Sequence, residues 1–341
     1  MRSTRREPPP ISEFRQDPVT GDWVLVAAGR MLRPHAFRGA GRLEGAQPKR
    51  GCPFERIRPE VILAYDRAGR RLPLESAARS RSQRRWWVQV AANKYPALGP
   101  GQCRVRRSRQ PFQFQDGVGF HEIVVTRDHD RPIARMQVGE VQTVLGAYRD
   151  RYRELARERC VAYISVFHND GRAAGASLSH PHSQIITLPV VPTDIGRSLK
   201  GSAEYFRRHR RCVHCAMLRT EVRDRRRVIA SNRSFVALCP FVSRQAFEIR
   251  VFPRRHRPRF EESDDGALKA CAQVLSVAMA KLDRALDRPA YNFFIHTSPV
   301  AGAAAFGHYH WHIEIIPKTA VWAGFEIGTG IEISSTAPED A

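Results

Sequence analysis

The chain repeats itself, and that constrains its fold more than any other feature. HPHSQIITLP (residues 180–189) and HYHWHIEIIP (308–317) both read H-x-H-x-[QH]-I-x-x-x-P, 128 positions apart. Upstream of each, AGAS (174–177) faces AGAA (301–304), and HEIVVTRDH (121–129) faces FEIRVFPRRH (247–256). VAANKYPAL (90–98) faces IASNRSFVAL (229–238), and CPFE (52–55) faces CVHC (212–215). Five landmarks in one order predict two copies of a single α+β unit, divided near residue 190 into 1–190 and 191–341. Each copy runs from a cysteine knuckle through a strand with Asn, a strand ending in His, a helix and a strand to a His-rich strand. Apolar spacing predicts the two helices over 138–158 and 263–286, followed by the strands CVAYISVFH (160–168) and AYNFFIHTS (290–298). Residues 1–14 and 36–50, rich in Pro, Gly and Arg, are expected to be loose.

On a strand, side chains alternate faces, so His180, His182 and Gln184 would share one side. A solvent-facing stripe explains one histidine there better than two histidines and a carboxamide.

The knuckle Cys212-x-x-Cys215 has the spacing of a metal site. The repeat supplies His256, and then His308, His310 or His312, as partners; two thiolates with two imidazoles make a closed, structural tetrahedron. The first copy offers Cys52, His129 and His180, with Glu55 where the second thiolate would stand. Zinc is the expected ion, with the second site favoured, because soft sites prefer sulfur. Direct alignment of the repeats pairs His308 with His180. His121, His168, His209 and His214 have no place in this scheme and are expected to be surface or hydrogen-bonded core residues.

The net charge is +22, and only six of the 56 basic residues are lysines. Such a chain could bind polyanions. Its arginines are scattered and weakly interleaved with aromatics, which argues against a nucleic-acid binder and leaves a small-molecule phosphate site as the functional part of the charge. No apolar run reaches the roughly 20 residues that span a bilayer, and MRSTRREPPPISEF lacks the apolar core of a signal peptide. Seven cysteines without secretory context point to reduced thiols in the cytoplasm.

FHNDGRAAGASLSHPHSQIITLPVVP (167–192) closely resembles the nucleophile region of the galactose-1-phosphate uridylyltransferase family, a duplicated branch of the histidine-triad superfamily. The resemblance runs nearly end to end. It covers RQDPVTGDWVLVAAGRMLRP (15–34), CPF, NKYPAL and TRDH, and the ending GFEIGTGIEISSTAPED resembles the ADP-glucose phosphorylase-like subgroup. It implies two tandem histidine-triad-like units with largely antiparallel sheets and flanking helices.

It also implies a nucleotidyltransferase that acts on nucleoside diphosphate hexoses by a ping-pong mechanism. Either UDP-glucose–hexose-1-phosphate uridylyl transfer or ADP-glucose phosphorolysis would fit. His182 would be the nucleophile, since a phosphoimidazole forms readily and can pass its group on. Gln184, where triad hydrolases carry His, would donate its amide to phosphate oxygens. By position, Arg30 and Arg33 match family residues near the phosphates, Asn93 a nucleotide contact, and Asn169, Gly175 and Ser177 the substrate site. Phe325 and Glu326 match a sugar-binding arm that reaches across a homodimer interface, and similarity favours His310 as the metal ligand. The competing expectation is a nucleotide hydrolase in which HYHWHIEI is the active centre and His310 attacks.

Overall fold

The computed structural model describes residues 12–28, 48–57, 60–73, 85–102, 105–107 and 112–341. Strands β1 (Glu13–Gln16) and β2 (Trp23–Val26) come first, then β3 (Val61–Tyr65), β4 (Val88–Ala92), the small hairpin β5 (Val105–Arg107) and β6 (Gln113–Gln115), and β7 (His121–Thr126). Helix α1 (Val138–Leu155) leads to β8 (Tyr163–Asp170) and β9 (His182–Leu188). Helices α2 (Thr193–His209) and α3 (Val213–Asp224) open the second half, followed by β10 (Val228–Ser231), β11 (Phe235–Leu238) and β12 (Ile249–Pro253). Helix α4 (Asp265–Ala285), β13 (Tyr291–His296), β14 (His312–Pro317), the short α5 (Gly324–Thr329) and β15 (Glu332–Ser334) complete the chain.

Ten strands form one sheet in the order β10-β11-β12-β14-β13-β8-β9-β7-β4-β3. Every neighbouring pair in it is antiparallel. Read outward from its centre, the sheet runs β8, β9, β7, β4, β3 on one side and β13, β14, β12, β11, β10 on the other. Each half places its helix, α1 or α4, between its third and fourth strands in chain order. The boundary at residue 190 falls between β9 and α2, and the sheet runs across it: β8 pairs with β13, from Asp170 opposite Tyr291 to Val166 opposite Ile295.

Helix α1 starts at a capping box in which the Glu140 carboxylate accepts from the Gln137 backbone N–H at 2.9 Å. Its buried Val141, Val144, Leu145, Tyr148, Tyr152 and Leu155 recur at helical spacing. Asp264 caps α4 by accepting from Ala267 N at 2.7 Å. Both helices lie over one sheet face, sharing a core with Val90, Val124, Ile164, Ile185, Phe293 and Ile313. The opposite face of β4 and β7 is covered by Phe54, which packs on Ala91, Ile123 and Val125. Strands covered on both sides need apolar residues at successive positions, and the run IVV in β7 reads that way.

Residues 13 and 14, expected to be loose, belong to β1, which pairs with β2. β2 also pairs in parallel with β15 at the other end of the chain. Arg15 holds Glu339 with two 3.1 Å hydrogen bonds, so the order of this segment comes from the C-terminal residues rather than from local propensity. Residues 1–11 and 36–47 lie outside the described residues. Cys160 is disulfide-bonded, which departs from the expectation of reduced thiols throughout, while Cys52, Cys212, Cys215, Cys239 and Cys271 are free.

Candidate active site

Strand register puts the nucleophile candidate on the face that Phe54 covers. His182 lies opposite Val125 and Gln184 opposite Ile123, with Ala91 beyond. The Phe54 ring stands 4.9 Å from the His182 ring. On the other face Ser183 bonds Tyr148 of α1, and His168 Nδ1 lies 3.1 Å from the same hydroxyl. β9 is thereby pinned from the core side while His182 and Gln184 look away from it. His182 Nδ1 lies 2.9 Å from the His180 carbonyl oxygen, which can only accept, so Nδ1 carries the proton and Nε2 keeps its lone pair. Burial pushes the pKa of His182 down, partly offset by that hydrogen bond, which favours the unprotonated ring.

The histidine two positions earlier turns to a different task. His180 Nε2 donates to the Thr126 carbonyl at 2.7 Å, leaving Nδ1 aimed at Cys52 Sγ, 3.6 Å away. Glu55 Oε1 is 2.9 Å from His129 Nδ1 and 3.8 Å from His180 Nδ1. Cys52, His129 and His180 therefore converge as possible metal ligands, with the Glu55 carboxylate beside them.

The second half repeats this arrangement with two thiols. Cys212, Cys215, His256 and His310 present ligand atoms within 4.8 Å of one another. His310 Nδ1 faces Cys215 at 3.4 Å and Cys212 at 3.8 Å, while its Nε2 donates to the Pro253 carbonyl at 2.9 Å. Such backbone acceptors fix the tautomer a metal-binding imidazole needs. Hydrogen bonding from Cys212, and further from His256 and His310, holds the Cys215 thiol far below its usual range.

These roles align His310 with His180 and His312 with His182, since His312 Nδ1 likewise faces the carbonyl of His310 at 3.1 Å. The structural register of the repeat is thus 130 residues, and the direct alignment of His308 with His180 is replaced. His308 instead bonds the Leu199 carbonyl at 3.2 Å.

The same geometry removes the hydrolase centre built on His310, because both of its ring nitrogens are engaged. The position matching Gln184 is Glu314, packed by Arg250 at 3.7 Å and His296 at 3.3 Å beside a cavity of about 160 Å³. Burial opposes ionisation of Glu314, but Arg250 and Arg244 outweigh it and keep the carboxylate charged, which repels a phosphate.

Of the other expected residues, Asn93 sits beside the site, its Nδ2 3.0 Å from His121 Nε2. Asn169, on β8, accepts from Asn292 Nδ2 at 2.8 Å. Gly175 adopts φ +87°, the left-handed region in which a Cβ is strained, at the turn after Asn169. Ser177 is exposed in the loop that leads to β9. Phe325 and Glu326 lie on α5, where Glu326 caps Ala323 N at 3.0 Å; among the described residues none of their hydrogen bonds reaches His182. Arg30 and Arg33 fall outside the described residues. Sequence reading missed His121, whose Nε2 is 2.7 Å from Gln184 Oε1. Its position two residues before Ile123, which lies opposite Gln184, was the available signal, and it required the strand register.

Residues 6–192 match the family described as galactose-1-phosphate uridyl transferase, N-terminal domain. This chain belongs to the galactose-1-phosphate uridylyltransferase family. It is a nucleotidyltransferase of that family. A second family, of unknown function, covers residues 118–341. The ADP-glucose phosphorylase of Arabidopsis thaliana is 32% identical over 96% of this chain and 90% of its own length. The galactose-1-phosphate uridylyltransferase of Thermotoga maritima is 29% identical, covering 97% of this chain and 96% of the relative. The crystal structure of the Arabidopsis ADP-glucose phosphorylase with bound ADP-glucose superposes with a TM-score of 0.77 at 30% identity, covering 97% of each chain. No helix among the described residues is long and apolar enough to cross a membrane.

Proposed function

We propose that this uridylyltransferase-family member moves a nucleotidyl group from a nucleoside diphosphate hexose to a phosphate acceptor through a covalent adduct on His182. The supporting observation is the imidazole whose Nδ1 is tied to the His180 carbonyl and whose Nε2 is left nucleophilic on the face shared with Gln184. Nε2 attacks the α-phosphorus, forming a P–N bond as the bond from α-phosphorus to the bridging oxygen breaks. The hexose 1-phosphate leaves with that electron pair, so it needs little protonation. An acceptor phosphate oxygen then attacks the same phosphorus, and the P–N electrons return to His182. Gln184 donates N–H to the non-bridging oxygens as their charge grows. Because an amide is no general base, the adduct persists until a phosphate acceptor arrives.

Similarity in sequence and fold to the ADP-glucose phosphorylase supports ADP-glucose as donor and inorganic phosphate as acceptor. Hexose-1-phosphate uridylyl transfer is supported by the Thermotoga relative. Zinc fits the Cys212, Cys215, His256 and His310 set, two thiols and two imidazoles with the tautomer fixed. When bound there, the metal would supply a structural crosslink. Exposed Val321 (92%), Trp322 (48%) and Ile327 (74%) flank Phe325 and support a homodimer through this arm. A monomer at micromolar concentration in sedimentation equilibrium would overturn that assembly. Five free thiols support action in the cytoplasm against the one disulfide at Cys160, and recovery of the chain from the secreted fraction would contradict it.

The test is incubation with α-³²P-labelled UDP- and ADP-sugars, then electrophoresis under alkaline conditions. An acid-labile, alkali-stable label is expected on the wild type, absent from His182→Gly and retained by folded His310→Ala. Label surviving His182→Gly, or rapid release of free mononucleotide without any acceptor, would sink the proposal.

A further inference from the structure

Gln184 serves a phosphate only if its amide faces the right way. A carboxamide has two nearly isosteric ends, one donating and one accepting. Rotated by half a turn, the same residue would aim its oxygen at the phosphate and repel it. Something must select the orientation, and nothing in Gln184 itself does.

The neighbour on β7 supplies that selection. The backbone N–H of Ala97 donates to His121 Nδ1 at 3.0 Å. A backbone amide is an unambiguous donor, so Nδ1 accepts and the ring carries its proton on Nε2. That proton points at Gln184 Oε1, 2.7 Å away. The Gln184 oxygen is thereby held toward His121, and its two N–H bonds are directed away from the ring. Asn93 Nδ2, 3.0 Å from the same Nε2, is then a close contact rather than a hydrogen bond. Asn93 is itself oriented by Tyr95 N, which donates to its Oδ1 at 2.9 Å. The chain of donors starts at the main chain, which cannot flip, and ends at the amide that must not.

Strand register makes the row possible. His121 follows Asn93 across the β4–β7 edge, with Asn93 N bonded to the His121 carbonyl at 2.9 Å. His121 lies opposite Ile186 and Ile123 opposite Gln184, so the ring reaches its partner diagonally on the face that also carries His182.

We propose that His121 is a positioning residue of the transfer reaction: through a tautomer set by the Ala97 main chain, it locks Gln184 with its N–H donors toward the α-phosphate. The inference rests on the proposed function. It predicts a role exerted entirely through Gln184, which a merely structural histidine would not show.

The experiment measures single-turnover adduct formation on His182 with the α-³²P nucleotide sugar that labels the wild type best. The enzymes are wild type, His121→Phe, His121→Gln, Gln184→Ala and the double variant His121→Phe with Gln184→Ala. Losing one oriented donor to developing phosphate charge should slow His121→Phe about 100-fold, with nucleotide-sugar affinity changed less than about threefold. His121→Gln, which retains one acceptor and one donor, should recover most of that loss. In the Gln184→Ala background, His121→Phe should cost less than about twofold, because a residue acting only through its partner couples fully to it. Equal losses in both backgrounds, or no advantage of Gln over Phe, would overturn the proposal.

Should His121→Phe fail to fold, His121→Gln and His121→Asn replace it in the same cycle. Independently of substrate, the ¹⁵N shifts of the His121 ring should show Nε2 protonated and Nδ1 bare, and the opposite tautomer overturns the inference. A wild type with the expected tautomer that forms no adduct with any nucleotide sugar overturns the proposed function, and the inference falls with it. The two failures are thus told apart.

Discussion

Single residues in this site are set by what their backbone neighbours accept or donate. His180 and His182 are two positions apart and have the same chemistry, yet one offers Nδ1 to a knuckle and the other keeps Nε2 bare. Burial has its own effect at Asp170, the last residue of β8, where it raises the carboxyl pKa from 3.8 to about 6. The sign follows from linkage. Well below pH 3.8 the group is protonated folded and unfolded, and contributes nothing to the pH dependence. Between about 4 and 6 the unfolded chain releases its proton while the folded chain holds it, so stability falls as pH rises. Above that window the full cost remains, with an upper bound of roughly 3 kcal/mol. Asp170→Asn should therefore melt higher than wild type at pH 7.5, and the difference should shrink as pH falls and vanish below about pH 3. A melting difference independent of pH would show that Asp170 ionises as an ordinary carboxyl.

At the scale of elements, the two knuckles differ in what they hang from. Cys212 and Cys215 begin a full helix, α3, whose N-terminus favours thiolate. Cys52 and Glu55 sit on a single 3-10 turn, Pro53–Arg56, and oxygen replaces one sulfur. The second site should hold zinc firmly and the first should hold it weakly, giving about one zinc per chain after gel filtration, since thiolate-poor sets bind this ion less well. Glu55→Cys should raise the content toward two. Cys215→Ser should lower the melting temperature, because a structural metal contributes folding free energy directly. Elemental analysis of the three proteins checks this, and two equivalents in the wild type would refute the ranking of the sites.

For the molecule as a whole, the β8–β13 pairing matters most. It joins two five-stranded halves into one sheet, and α1 and α4 pack in one continuous core with both. β15 adds a second link by pairing with β2 near the other terminus. Two halves coupled through a shared core should unfold together. Phe293 on β13 is 1% exposed within that core. Calorimetry should show one transition, moved down as a unit by Phe293→Ala, a change that costs about 3–5 kcal/mol in buried positions. Two separated transitions, only one of them shifted, would mean that the halves are energetically independent. Several arginines are engaged in this architecture: Arg15, Arg151, Arg227 and Arg250 pair with Glu339, Glu122, Glu221 and Glu248.

Much of this was legible in the chain itself, because the informative signals were local. A strand alternates by two, so HPHSQ placed His182 and Gln184 together without coordinates. Helices α1 and α4 fell within a few residues of their apolar periodicity, and the spacing of Cys212-x-x-Cys215 brought two thiols together at the start of α3. The pairing of the repeats was not legible. Letters align His308 with His180, whereas hydrogen bonds align His310, as the family resemblance also favours, because the task of an imidazole is defined by where its two nitrogens point and not by its neighbours in sequence. The order of β1 was also hidden, since its partners lie at the far end of the chain. So was His121, an unremarkable histidine at the head of a strand. Only the lateral register of β4, β7 and β9 brings it to Gln184, and no one-dimensional pattern specifies which strands become neighbours.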